Sequence, residues 1–215
     1  PNISGKYWGS LDFVMASFFD LINTYRTTAK TEREKGTYFE SLCIRYFQHE
    51  PYYADKFINV QTYTDWAKEQ GLSGKDTGID LVATTKDGEF HAIQCKLYEA
   101  DRKVSKAEID SFLSAASKTY FARRIIVSTT HAWSDNALTT LENQDPPVTK
   151  IDLETLEQSA IDWSLFAEKK EVVFKPKKRL RDHQKAALTN VQIGLYEQKL
   201  ERGKLIMACG TGKTF

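Results

Sequence analysis

Three side chains that could take part in catalysis lie within a short stretch of this chain: a carboxylate, an amide and an ammonium. Asp80 lies in the apolar run 79–83, and Gln94 and Lys96 follow it by fourteen and sixteen residues. Side chains of a β-strand alternate between two faces, so Gln94 and Lys96 would share one face while Cys95 points away. A carboxylate in an apolar run needs a cation or a positive partner, because burying an unpaired charge is costly. The pattern favours a Mg²⁺-binding oxygen cluster beside an ammonium, as in a magnesium-dependent phosphodiesterase.

Two predicted strands and a tight turn would place these groups side by side. The runs 79–83 and 89–96 are apolar or alternating, and residues 86–88 have the composition of a turn. A further alternating run at 57–63 precedes them. These segments predict three consecutive strands paired as a meander.

A capped helix extends this prediction to an α/β sheet. Ser105 and Glu108 form a capping box, which opens a helix that we expect to run through Phe121. The short apolar run 124–129 predicts the next strand, so a helix crosses between two strands. Weaker patterns predict a helix at 134–141, a strand or loop at 148–153, and a helix near 156–166.

Two amphipathic helices are predicted before the first strand. Apolar residues recur at three- and four-residue intervals over 11–25 and over 37–48. The first helix is expected to serve core packing alone. In the second helix, Glu40 lies at the edge of the apolar stripe and can lean inward.

Composition excludes several classes of protein. The 215 residues are 41% hydrophobic and 27% charged, which excludes disordered and fibrous chains. The formal charge of +1 means that attraction to nucleic acid has to come from local clustering. Three cysteines without CxxC spacing argue against a disulfide framework or a structural zinc site. With no apolar run of the roughly eighteen residues that a membrane span needs, we expect a soluble cytoplasmic protein without a membrane partner.

A basic segment at 169–180 marks a predicted junction between two domains. The segment from Lys169 to Arg181 contains seven Lys and Arg residues and a single acidic residue, a Glu. Two interpretations remain open, a solvated linker or a basic strip that steers a phosphate backbone, and both can hold together.

A second chemical pattern follows this junction. An apolar segment leads into a loop of small residues that ends in lysine and threonine: Gly210, Thr211, Gly212, Lys213 and Thr214. Backbone N–H groups of such a loop wrap nucleotide phosphates, while Lys213 would neutralise the β/γ oxygens and Thr214 would hold magnesium. Met207 stands where the general pattern has its first glycine. The alternative is a glycine-rich turn without a ligand.

Gln184 opens a predicted helix upstream of this loop. Its amide can pair with the N6/N7 edge of adenine, although a lone helical glutamine is usually just solvated. Together with the loop, Gln184 resembles the adenine-reading element of superfamily 2 helicase motors, which implies ATP as a cofactor. The strand that would complete ATP hydrolysis does not follow before residue 215, so we expect ATPase activity only in a full-length protein.

The Gly-Ile-Asp strand, the turn, the Gln-Cys-Lys strand and the capped helix resemble the Mrr-like branch of the PD-(D/E)xK nucleases. The resemblance implies Mg²⁺ held by Asp80, Gln94 and the main-chain carbonyl of Cys95, with Lys96 steadying the attacking hydroxide or the charge on phosphorus. It also implies a central mixed sheet flanked by helices.

This chain departs from the family pattern at Gln94, which stands in place of an acid. The loss of one negative charge should weaken magnesium binding unless another carboxylate compensates. Glu40 is the first candidate, because the family places a helical glutamate at the cluster, and Asp76 is the second. In the alternative view Lys96 merely neutralises Asp80 as a cross-strand pair in a binding module. His91 and His131 are expected to be packed or exposed, without a catalytic role.

A nuclease joined by a basic segment to the start of a motor resembles the amino-terminal part of type ISP single-polypeptide restriction-modification enzymes. The resemblance implies a nuclease domain at 1–168, a linker at 169–180 and the beginning of a RecA-like ATPase domain at 181–215. It implies an endonuclease acting on double-stranded DNA, with the rest of the motor, a methyltransferase and a target-recognition domain further along the polypeptide. The alternatives are a non-cleaving DNA-binding domain of a superfamily 2 helicase, and an ATPase whose front domain binds a protein partner.

Overall fold

The structure, a computed structural model, describes residues 18–74, 78–99, 101–169, 171–176 and 180–202. The chain divides into two compact units, Pro1–Lys175 and Pro176–Phe215. The elements of the first unit are α1 (Phe18–Thr28), α2 (Glu32–His49), α3 (Pro51–Lys56), β1 (Phe57–Thr62), α4 (Tyr63–Glu69), β2 (Leu81–Thr85), β3 (Phe90–Lys96), α5 (Lys106–Ala115), β4 (Phe121–Ser128), α6 (Asp135–Leu141), β5 (Val148–Ile151), α7 (Leu153–Glu157) and α8 (Trp163–Lys169). The described part of the second unit holds α9 (Asp182–Gln192) and the π-helical segment Ile193–Glu197.

A five-stranded mixed sheet forms the centre of the first unit, with strands in the order β1-β2-β3-β4-β5. β1, β2 and β3 pair antiparallel, whereas β4 runs parallel to β3 and β5 parallel to β4. Helix α5 supplies the crossover that a parallel β3–β4 pair requires. The predicted meander and the predicted α/β sheet flanked by helices are both confirmed.

Each face of the sheet is covered by its own hydrophobic cluster. Residues of α1, α2, α7 and α8 pack on one face, which we call the α2 face. Residues of α4, α5 and α6 pack on the other, the α5 face. Along β3, Ile93 belongs to the α2 face and Ala92 to the α5 face. By the alternation of side chains, Gln94 and Lys96 therefore project to the α5 face, and Cys95 to the α2 face.

Several predicted boundaries differ from the structure, and three of them bear on the site or on the layout of the sheet. β2 begins at Leu81 instead of residue 79, so Asp80 precedes the strand. Helix α5 ends at Ala115 instead of Phe121, which is 2% exposed and opens β4. The predicted helix 156–166 is divided between α7 and α8, and Asp162, directly before α8, accepts the N–H groups of Ser164 and Leu165.

Part of the predicted linker is bonded to the first unit. The main-chain N–H of Lys175 donates to the carbonyl of Ala160 at 2.8 Å, and its ammonium donates to the carbonyls of Glu157 and Ser159. The boundaries expected from the sequence, 1–168, 169–180 and 181–215, remain predictions. None of the described helices combines the length and the hydropathy that a bilayer crossing requires.

His91 lies on the α2 face of β3, away from the side chains of Gln94 and Lys96. Its ring packs edge-on against Phe57, with ring centroids 5.2 Å apart. Burial, reinforced by the positive charges of Lys56 and Arg123, lowers the pKa of His91 to about 4. A packed, neutral histidine agrees with the expectation that His91 has no catalytic role.

The low pKa of His91 should make the stability of the fold depend on pH. Because the folded-state pKa lies below the ordinary value, protonation favours the unfolded chain, and stability should fall as pH drops from about 6.5 to about 4. Between about pH 7.5 and about pH 5 we expect His91 to account for a loss of about 2 kcal/mol. Urea unfolding of the parent and of His91→Phe at both pH values measures this term. Equal losses in the two proteins would contradict it.

Candidate active site

Asp80 joins β2 to β3 through its side chain at the point where their ladder ends. The last register pair is Leu81 with Ile93. Beyond it, the Oδ2 atom of Asp80 accepts the main-chain N–H of Cys95 at 2.6 Å. The carboxylate thus takes the place of a main-chain acceptor, in a short, charge-assisted hydrogen bond. This bond holds a negative charge against the segment that carries Gln94 and Lys96.

Gln94 has a buried acceptor atom that lacks a partner. The side chain is 1% exposed, and its Nε2 donates to the carbonyl of Gly78 at 3.0 Å. Because a carbonyl accepts only from a donor, this bond distinguishes the amide nitrogen of Gln94 from its oxygen. The Oε1 atom is buried and has no hydrogen-bond partner among the described residues. A buried oxygen in this state is costly, and a bound cation would satisfy it.

Gly78 lies two residues before Asp80 and was missing from the predicted site. It has a φ of +82°, and a Cβ atom built on it would lie 3.9 Å from Nε2 of Gln94 and 3.8 Å from Oγ of Ser111. A left-handed backbone favours glycine at this position. Its carbonyl therefore links the Asp80 segment to the Gln94 side chain. The glycine before the aspartate was the available sequence signal.

Cys95 is placed to offer its carbonyl oxygen and not its sulfur. Burial, a hydrogen bond with Cys43 and the charges of Asp80 and Glu40 all raise the pKa of its thiol, which stays protonated. In an antiparallel pair, the N–H and C=O of one residue point to the same neighbouring strand. Because the N–H of Cys95 reaches Asp80, its carbonyl points toward the same edge.

Glu40 approaches the site from α2. The side chain is half-buried, as its predicted inward lean requires, and its charge contributes to the raised pKa of the Cys95 thiol. It lies on the α2 face, whereas Gln94 and Lys96 project to the α5 face, and the Asp80 carboxylate bonds the main chain of β3.

An oxygen set of this kind suits magnesium better than softer metals. Nowhere in the described ranges do three His, Cys, Asp or Glu side chains cluster as a metal site. The donors at hand are carboxylate, amide and main-chain carbonyl oxygens, which are the ligands of hard cations, and Mg²⁺ usually keeps several waters as well. The buried oxygen of Gln94, which has no partner among the described residues, is consistent with such an ion.

Lys96 has a half-buried side chain on the same face as Gln94. Its ammonium makes no ion pair or hydrogen bond with any residue in the described part of the chain. The cross-strand pair with Asp80, which the alternative view required, is not formed. The positive charge is therefore available to a ligand.

The remaining predicted site residues divide into two groups. Gln184 is 8% exposed, and its Oε1 accepts the main-chain N–H of Arg181 at 2.8 Å, so it caps α9. Its role in reading adenine stays a prediction. Asp76 and the loop Gly210, Thr211, Gly212, Lys213 and Thr214 lie outside the described residues.

Comparisons with known proteins show the family and the fold of this chain. A profile of restriction endonucleases matches residues 48–173, which include Asp80 and the 94–96 segment. No curated protein matches the chain. Among solved structures, the chain is similar to the "ATP-dependent Type ISP restriction-modification enzyme LlaBIII bound to DNA", with 38% sequence identity and a TM-score of 0.67. The match covers 92% of this chain but only 12% of that enzyme.

Two further structures are more distant. The DNA modification-dependent restriction endonuclease AspBHI shares 12% identity at a TM-score of 0.42, covering 70% of this chain and 35% of that one. The MspJI restriction endonuclease, in complex with a 27-mer oligonucleotide, shares 14% identity at a TM-score of 0.41, covering 91% of this chain and 38% of that one. Likenesses this low carry no argument about function.

Proposed function

Because this chain belongs to the restriction endonuclease family, we propose that it carries a magnesium-dependent endonuclease domain that hydrolyses phosphodiester bonds of double-stranded DNA. One observation carries the proposal. The Asp80 carboxylate accepts the N–H of Cys95 at 2.6 Å, and the preceding residue, Gln94, carries a buried Oε1 that has no partner among the described residues. The ammonium of Lys96, which bonds no other described residue, projects to the same face of β3 as Gln94. Oxygen ligands and an ammonium at one strand end are the groups that phosphoryl chemistry requires.

In the proposed site, Asp80, Oε1 of Gln94 and the Cys95 carbonyl would hold Mg²⁺, and Glu40 would add a second carboxylate. When bound, the ion supplies Lewis acidity toward a phosphate and lowers the pKa of a water. Lys96 donates hydrogen bonds to the oxygens on which negative charge builds up. Asp80 sets the charge of the site, while the amide of Gln94 holds the Gly78 carbonyl and so fixes the segment that precedes Asp80.

The wider context of this domain is part of the proposal. The similar type ISP enzyme is described as ATP-dependent and bound to DNA, and this chain covers 12% of it. We therefore assign ATP to the motor segment, with Gln184 reading adenine and Gly210, Thr211, Gly212, Lys213 and Thr214 holding the phosphates. The rest of the motor, a methyltransferase and a target-recognition domain are expected in the same polypeptide.

Cleavage of plasmid DNA tests the proposed function. The intact protein, supplied with Mg²⁺ and ATP, should convert supercoiled plasmid to nicked or linear forms, and EDTA should stop the reaction. Retarded migration of DNA that stays uncut would favour the alternative, a non-cleaving DNA-binding domain of a superfamily 2 helicase.

Gln94→Glu should destabilise the metal-free protein and make it bind Mg²⁺ more tightly. A carboxylate cannot donate to the Gly78 carbonyl, and it adds a negative charge beside Asp80, so without Mg²⁺ we expect a loss of about 1–3 kcal/mol. Added Mg²⁺ should then raise the melting temperature of the variant more than that of the parent, since the ion neutralises the extra charge. Thermal unfolding with and without Mg²⁺ measures both effects. Gln48→Glu, at an exposed position, is the control with the same change of charge. If Mg²⁺ raised the melting temperature of Gln94→Glu no more than that of Gln48→Glu, the assignment of Gln94 as a metal ligand would be contradicted.

A further inference from the structure

The chain leaves the sheet directly after Lys96, and Thr129 holds it there. The N–H of Thr129 donates to the carbonyl of Lys96 at 3.1 Å. Its hydroxyl donates to the carbonyl of Tyr98 at 2.6 Å and accepts the N–H of Tyr98 at 2.8 Å. Thr129 is 1% exposed, so these bonds are made in a water-poor environment. A single residue at the end of β4 thus fixes the main chain on both sides of Leu97.

Arg26 supports the same corner from α1. Its guanidinium donates to the carbonyl of Tyr98, and its Nη1 donates to Oδ1 of Asn23 at 2.8 Å. Its Nε lies 3.5 Å from a carboxylate oxygen of Glu99. The arginine side chain is 9% exposed. The Tyr98 carbonyl therefore receives a neutral and a charged donor, which makes this turn a rigid part of the fold.

The residues beside Thr129 are buried polar groups as well. Ser128 and Thr130 are both fully buried, and the hydroxyl of Ser128 donates to the carbonyl of Thr130 at 2.9 Å. The N–H of Ala132 donates to the Thr130 hydroxyl at 3.0 Å. Three consecutive buried hydroxyl residues follow the apolar run 125–127 of β4, and they bond main-chain groups instead of filling the core. This corner is built to hold backbone.

We propose that Thr129 is a positioning residue for Lys96 in DNA cleavage, an inference that rests on the proposed function. The Lys96 ammonium is carried on a flexible stem and has no described partner that fixes it. The position of the ammonium therefore depends on the position of the main chain at Lys96. Loss of the Thr129 hydroxyl removes two bonds from Tyr98, and a displacement of about 1 Å can lower a rate by about a hundredfold. Asp80, Gln94 and Cys95 are held by other bonds, so metal binding should not change.

Three variants of the intact protein separate positioning from general stability. Thr129→Val keeps the shape and removes the hydroxyl, whereas Thr129→Ser restores it. Thr85→Val is the matched control, because Thr85 is 2% exposed and its hydroxyl also accepts one main-chain N–H, that of Glu89 at 3.0 Å. Thr85 lies at the opposite end of β2 from Asp80. Thr129→Val and Thr85→Val therefore each lose one buried hydroxyl, but only the first loses it beside Lys96.

We expect Thr129→Val to lower kcat for plasmid cleavage by about ten- to a hundredfold, with KM for DNA and the Mg²⁺ dissociation constant within about twofold of the parent. Thr129→Ser and Thr85→Val should stay close to the parent in all three quantities. Hydrogen exchange should show faster exchange of the Tyr98 amide in Thr129→Val alone.

Each other outcome overturns a defined part of the proposal. Parent-like kcat in Thr129→Val, or an equal loss in Thr85→Val, overturns the positioning role while DNA cleavage itself stands. Weakened Mg²⁺ binding in Thr129→Val also overturns it, because the effect would then reach the metal ligands. A parent that leaves DNA intact overturns the proposed function, and this inference with it.

Discussion

Asp80→Asn is expected to abolish DNA cleavage, with a loss of at least about a thousandfold, and to leave the fold intact. An asparagine keeps an oxygen that can accept the N–H of Cys95, the bond that Asp80 makes at 2.6 Å. It removes the negative charge, however, and hard divalent cations depend on charged oxygens. Mg²⁺ binding by calorimetry should weaken together with the rate of plasmid cleavage.

A matched control for this variant is Asp110→Asn on α5. The Asp110 side chain is 46% exposed and bonds the ammonium of Lys106 at 2.7 and 2.8 Å, a surface pair of small energetic weight. It should cleave DNA and bind Mg²⁺ like the parent. If Asp80→Asn cleaved as fast as Asp110→Asn, the carboxylate would have no part in catalysis, and Asp80 would be a structural link between β2 and β3.

Lys96→Met should lower cleavage by about a hundred- to a thousandfold while Mg²⁺ binding stays intact. Methionine has a similar length and fills the same half-buried space, so packing should change little. The missing ammonium would leave the developing negative charge on phosphorus without its donor. Metal binding should be unchanged or slightly tighter, because a positive charge has been removed from the neighbourhood of Asp80. This split between catalysis and metal binding distinguishes Lys96 from the ligands.

The control for Lys96 is Lys118→Met, which removes an exposed charge from the turn after α5. Both variants lose one positive charge, so any general weakening of DNA binding should be similar in the two. Single-turnover cleavage at saturating DNA then isolates the chemical step. Equal rates for the two variants would show that the Lys96 ammonium acts only through bulk charge.

The sheet could be predicted from the sequence because its central strands are short apolar or alternating runs separated by turn residues. The same alternation placed His91 on the face opposite Gln94 and Lys96, and His91 packs against Phe57 of the α2 face. The start of β2 could not be predicted from the pattern. Residue 79 is as apolar as a strand residue, but the ladder begins at Leu81, and the carboxylate of Asp80 supplies the next acceptor.

The supporting contacts of the site had little or no sequence signal. In the sequence, Gln94 stands where the family motif has an acid. In the structure, its Nε2 donates to the carbonyl of Gly78, sixteen residues away along the chain. Thr129 and Arg26 meet at the Tyr98 carbonyl although they are 103 residues apart in sequence. Such contacts depend on the packing of several elements, which periodicity and spacing do not encode.

The central claim is that Asp80, Gln94 and Cys95 converge on one divalent cation, and anomalous diffraction from crystals soaked in Mn²⁺ tests it most directly. Mn²⁺ prefers the same oxygen ligands as Mg²⁺ and scatters anomalously. We expect a peak at about 2.1 Å from a carboxylate oxygen of Asp80, Oε1 of Gln94 and the carbonyl oxygen of Cys95. A peak bound elsewhere in the domain, with these three oxygens uncoordinated, would contradict the claim.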